Sequence, residues 1–172
     1  MDLQYFIRAL SSNKVTIRSM ASGVPVEQAR WKPTPERWSL LEVINHLCDE
    51  EREDFRMRLD LTLHHPGKAA PPFDPEKRVV ERKYNARDLE ESMERFVEER
   101  ENSLAWLAGL DNVNWNATFE HPKLVLSAGD LITSWLTHDY LHMRQLTRLH
   151  YDYTQQQAKP FDSKYAGDAG SW

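Results

Sequence analysis

A chain of 172 residues with 40% hydrophobic content is the size of one ordinary domain with a single packed core. Its formal charge of −5, from 22 Lys+Arg against 27 Asp+Glu, is interleaved along the chain with no basic block, which argues against nucleic acid as a partner. No apolar run approaches the roughly 18–20 residues that cross a bilayer, and the start "MDLQYFIRAL" lacks the basic stretch and cleavage site of a signal peptide, so no membrane partner and a cytoplasmic location are expected.

Apolar residues at Leu3, Phe6, Ile7, Leu10, Ile17 and Met20 repeat every 3.6 positions and predict a first helix, stopped by Gly23 and Pro25. In "WKPTPERWS" two prolines keep the backbone out of helix until Ser39. "SLLE" then forms a capping box between Ser39 and Glu42, with Trp38 and Val43 in the positions of a hydrophobic staple. The second helix should run from there to Pro66-Gly67, about 26 residues or roughly 39 Å.

The stretch from Pro66 to Lys83 is proline-rich and long for a link between neighbouring helices, so it reads as a crossover. A third helix is expected from near Asn85, with Asp88 in its first turn, Leu89, Met93, Phe96 and Leu107 as its buried row, and Gly109 as its stop. A loop containing Trp115, His121 and Pro122 follows. Ser127 caps a fourth helix, with Asp130 three residues on and Leu126 and Leu131 as a staple, ending near Leu149. No strand pattern and no repeat are evident, and residues 151–172 read as an irregular tail of the same domain as 1–150. The fold class is therefore all-α, an antiparallel four-helix bundle with a long crossover between helices 2 and 3.

The chemistry gathers on the fourth helix. Leu131, Trp135, His138, His142, Gln145 and Leu149 are spaced 4, 3, 4, 3, 4, the pattern of a seam, so both histidines of "THDYLHMRQL" face the core. Each is either a core histidine with its own hydrogen-bonding partner or, since i and i+4 is metal-ligand spacing, part of a metal site. The spacing matches the zincin H-E-x-x-H, but Gln145 and Arg148 stand where that signature needs glycine and histidine, and no glutamate follows Glu120. A third ligand must come from another helix, and it must be nitrogen or oxygen because Cys48 is the lone cysteine. His46, two turns into the capped second helix, is the best candidate. Asp49 and Glu50 lie at i+3 and i+4 from it, where a carboxylate orients an imidazole or takes a proton, or simply belongs to a solvated acidic face.

The block "WKPTPERWSLLEVINHLCDEE" resembles the W-x-x-x-P…W-S-x-x-E-x-x-x-H-L-x-D-x-E element of the DinB/YfiT-like superfamily, and "THDYLHMRQL" resembles its H-D-x-x-H-x-x-Q element. The resemblance implies a four-helix bundle with a long crossover between the second and third helices. It also implies a divalent metal, often nickel or zinc, held at His46, His138 and His142, the same three residues that spacing selects. Members with known activity are thiol-dependent transferases and isomerases, and others are described as metal-dependent hydrolases. The expected partner is thus a small-molecule substrate, with a low-molecular-weight thiol among the candidates.

Three neutral imidazoles leave a coordination position open, where a metal could lower the pKa of a bound water or thiol. On this reading Glu50 is the proton acceptor, Gln145 and Asp139 support ligands or substrate, and Arg100, on the otherwise apolar row of the third helix, anchors an anionic substrate, pairs with a glutamate of helix 2 or is simply exposed. The competing expectation is a metal-stabilised or metal-free binding or oligomerisation module without turnover, its tryptophans Trp31, Trp38, Trp106, Trp115 and Trp135 filling the core instead of lining a cavity. An isologous homodimer is the commonest self-association for such a bundle.

Overall fold

The computed structural model describes residues 1–121 and 124–167, with 120, 121 and 124 described in backbone only. Helix α1 (Leu3–Ala21) is capped by Asp2, which accepts the Tyr5 N–H at 3.3 Å, and ends just before Gly23 at φ +71°. A five-residue helix α2 (Val26–Arg30) follows Pro25; it is too short to carry a periodic apolar row and had no signal in the sequence.

The capping box forms as expected: the Ser39 N–H donates to Glu42 Oε2 at 2.8 Å and the Glu42 N–H to Ser39 Oγ at 3.1 Å. The helix it starts is one rod in three pieces. Helix α3 (Leu40–Glu50) runs into a π-helical turn (Glu51–Phe55), then into α4 (Arg56–His64). A π turn accommodates one extra residue, which here turns Glu50 and Glu51, neighbours in sequence, both into the interior.

The crossover carries a helix of its own, α5 (Pro75–Glu81), with Pro75 in its first turn and Asp74 as its cap. Arg78 and Arg82 of this segment bond to Glu53, while Arg82 and the Tyr84 hydroxyl reach Asp49, so the crossover is strapped to the second rod. Helix α6 (Leu89–Ala108) begins after Asp88, which accepts the Glu91 N–H at 3.0 Å. Asp88 is therefore the cap instead of a first-turn residue. Asn85, expected near the helix start, sits in a 3-10 turn and accepts the Ser39 hydroxyl at 2.7 Å.

Where only a loop was expected, strands β1 (Thr118–His121) and β2 (Leu124–Ser127) pair antiparallel, Thr118 opposite Ser127 and His121 opposite Leu124. Four-residue strands are too short for alternation to stand out in sequence. Pro122 lies outside the described residues. Helix α7 (Ala128–Gln157) starts at the expected Ser127/Asp130 capping box but runs past Leu149 to Gln157. Part of the tail expected to be irregular is thus helical, because no glycine or proline intervenes before Pro160. The last residues of that tail, 168–172, lie outside the described residues.

Four rods, α1, α3–α4, α6 and α7, form the bundle: α1 and the second rod each pack on both α6 and α7. Their core is split into two apolar clusters. One joins Ile17, Leu40, Ile44, Leu47, Phe96 and Leu146; the other joins Leu10, Phe55, Leu59, Leu107, Ile132 and Trp135. On the second rod and α6 the first cluster is N-terminal, while on α1 and α7 it is C-terminal. The long crossover therefore makes the second rod and α6 run the same way, so the neighbours are not all antiparallel as expected. Between the clusters every rod supplies buried polar groups at mid-height: Asn13 from α1, Glu50 and Glu51 from the second, Arg100 from α6 and Asp139 from α7. No helix of the described residues is long and apolar enough to cross a membrane.

Candidate metal centre

His46 projects from α3 and His138 and His142 from α7 into this polar layer, and their Nε2 atoms converge. The separations are 3.4 Å for His46–His138, 3.1 Å for His46–His142 and 3.1 Å for His138–His142. Metal–nitrogen bonds of about 2.0–2.1 Å space neighbouring ligand nitrogens about 3.3 Å apart in a tetrahedron and about 2.9 Å apart in an octahedron, so this triangle has the size of a ligand face. Gln145 Oε1 accepts the Nδ1–H of His142 at 2.8 Å, which leaves the Nε2 lone pair of that ring aimed at the centre.

Protonation does not satisfy the cluster. Burial holds His46 near a pKa of about 2, with His142 and His138 adding to the effect, and burial beside His142 and Arg100 holds His138 near about 3. His142 is lowered too, chiefly by burial. Three neutral imidazoles with nitrogen atoms turned on one another are what a divalent cation requires, and among the described residues these three could hold one.

Apolar rings close the centre on two sides. The Trp38 ring meets His46 edge-on at 4.8 Å and lies parallel to His142 at 6.5 Å, while Phe55 meets His138 at 5.1 Å. Trp38 is itself held by Glu76 of the crossover helix, which accepts its indole N–H at 3.2 Å. On another side His142 lines a surface cavity of about 360 Å³ together with Arg37, Arg144, Gln145 and Arg148.

The other expected site residues divide between the centre and its foundations. Glu50 Oε1 lies 3.6 Å from His46 Nδ1, and burial together with the nearby Asp54 charge pushes its carboxyl well above the usual range. Asp49, expected on the same face, is turned instead to Arg82 and Tyr84. Arg100 is no surface anchor: fully buried, it makes a bidentate pair with Asp139 at 2.8 Å for both bonds, donates to Glu51 Oε1 at 2.6 Å, and reaches the Leu10 carbonyl at 3.0 Å. Asp139 also accepts from Asn13 at 3.1 Å, so it faces the interior and not a substrate.

Glu51, not among the site residues expected from the sequence, completes the network by accepting the Trp135 indole N–H at 2.6 Å. Its signal was the final glutamate of the "HLCDEE" block. The remaining described histidine side chains serve elsewhere: His64 bonds to Asp60 at 2.9 Å, His65 lines a different cavity, and His150 bonds to Gln28 and the Met20 carbonyl.

Fold and centre together define a helical-bundle protein with a buried three-histidine cluster supported by a charged layer. The sequence matches the DinB superfamily over residues 9–146, and the chain belongs to that superfamily. Among solved structures it is similar to YfiT from Bacillus subtilis, at a TM-score of 0.79 and 18% identity, covering 88% of this chain and 87% of that one. YfiT is described as a probable metal-dependent hydrolase with an unusual four-helix bundle topology. Comparison with curated proteins gives no match.

Proposed function

We propose that this protein is a metal-dependent enzyme of hydrolase or thiol-transferase type, with a divalent zinc or nickel ion held by His46, His138 and His142. The observation that carries the reading is the convergence of three neutral imidazole nitrogens within 3.4 Å of one another. A divalent ion held by these three residues would supply Lewis acidity and so lower the pKa of a water or thiol.

The chain's own groups do the rest. Gln145 fixes the His142 tautomer. Glu50, buried and with a raised pKa, stands with Oε1 3.6 Å from His46 Nδ1, the nitrogen turned away from the centre, where it holds the ring in place from behind. Trp38 and Phe55 exclude bulk water from the imidazole edges. A non-catalytic metal-stabilised module is the competing reading, and the cavity that reaches His142 favours the enzyme over it. The substrate is a small molecule entering through that cavity.

Elemental analysis of protein purified without a chelator or a histidine tag tests the reading, wild type beside His46→Ala. About one metal equivalent in the wild type and much less in the variant is the expected result. Absence of metal from both, with none taken up from added Zn or Ni, would return the three histidines to the core and refute the proposal.

A further inference from the structure

The cavity at His142 does not stand alone. A second cavity of about 330 Å³ shares Arg37, Gln145 and Arg148 with it and is walled by Thr34, Trp38 and Asp152, so the two form one groove along α7 and the loop before α3. Its charge is opposite to that of the chain: three arginines face one carboxylate on a protein of formal charge −5. The carboxylate, Asp152, is bound to Arg148 Nε at 2.8 Å. Arg37 and Arg144 have no ion pair among the described residues. Glu36, next to Arg37 in sequence, turns its carboxylate to Thr34 and toward Lys32. Two positive charges are thus in excess where the groove meets a candidate ligand.

Guanidinium groups bind carboxylates and phosphates through paired N–H donors, and an apolar wall such as Trp38 strengthens such contacts by displacing water. Gln145, whose carbonyl is engaged by His142, has its amide N–H₂ left to donate into the same groove. We infer that the substrate carries an oxyanion, a carboxylate or a phosphate, held in this groove by Arg37, Arg144 and Arg148 while its reacting end lies at the histidine centre. The position of the reacting end rests on the proposed metal site; the oxyanion subsite does not, and it forms without metal.

Calorimetric titration of metal-free protein with glutarate and, separately, with inorganic phosphate tests the subsite without direct anion–metal contacts. The proteins compared are wild type, Arg37→Gln/Arg144→Gln, and Arg8→Gln, which removes an exposed arginine of α1. Wild type and Arg8→Gln should bind at least one of the two anions saturably, more weakly as salt is raised, and the double variant about tenfold more weakly. Glutaramide, the neutral analogue, should not bind. Which anion binds identifies the oxyanion.

No saturable binding of either anion, equal binding of glutaramide, or unchanged affinity in the double variant would overturn the inference. Metal uptake with no anion binding leaves the metal reading standing and removes this one; anion binding without metal uptake does the reverse.

Discussion

Arg100 illustrates how far a single side chain can be read in advance. Its place on the otherwise apolar row of α6 left three alternatives open, a substrate anchor, an ion pair with a helix 2 glutamate or an exposed position, and the pair with Glu51 is the one that forms. The answer depended on what α1 and α7 bring to it, and no local pattern encodes that. The histidines were legible because ligand spacing on one helix and a capping box on another fix positions locally. Arg100→Ala should destabilise the protein by about 3–5 kcal/mol in chemical denaturation, because it strands Asp139 and Glu51 as buried unpaired carboxylates. The combined variant Arg100→Met/Asp139→Asn/Glu51→Gln, which removes the charges together, should recover a substantial part of that loss. A triple variant no more stable than Arg100→Ala would show that the charges are not what the single substitution exposes.

At the scale of elements, the long helices and their caps followed from periodicity and from Ser39 and Ser127, while the short elements escaped. α2, α5 and the hairpin owe their form to contacts with the bundle, since pieces of four to seven residues have little stability of their own. The π turn was invisible for another reason: it changes the rotation between Glu50 and Glu51 without changing composition. The crossover's attachment carries a pH dependence. Burial alone would raise the Glu53 pKa, but hydrogen bonds from Arg82, Arg52 and Arg78 outweigh it and hold the group at about 2, below its ordinary 4.5. A carboxylate with a folded pKa below its unfolded one stabilises fully above about 4.5 and loses that contribution as pH falls toward 2. Glu53 itself is only 23% exposed, but its partners Arg82 and Arg52 are more open to solvent, which screens the pairs and keeps the contribution to about 1 kcal/mol. Hydrogen exchange at α5 amides should therefore speed up relative to the rest of the protein between pH 4.5 and 3, and Glu53→Gln should remove the pH dependence while raising the rate at pH 6. A Glu53→Gln protein with wild-type α5 protection at both pH values would refute the strap.

For the whole molecule, the four-helix class and its crossover were readable from helix count and loop length, but the direction of the rods was not, because it is set by where the crossover lands. If the histidine cluster binds metal only when all four rods are assembled, binding adds about 2.7 kcal/mol at a free-metal concentration a hundredfold above Kd. Zinc-loaded wild type should then melt about 5–10 °C above the chelated protein, and His138→Ala should lose that difference. An equal rise in the variant would place the bound ion elsewhere. The mid-height layer has a second role, independent of metal. Two all-apolar halves could slide past one another by a helical turn, about 5.4 Å, and still bury similar surface. The same slip would carry Arg100 and Asp139 out of reach of their partners and into hydrocarbon. The layer thus acts as an index mark for the assembly. Leucines, valines and phenylalanines on either side are free to drift in evolution provided volume is kept, whereas an insertion of one turn between His46 and Phe55 shifts one rod against the other three and leaves the chain no consistent alignment.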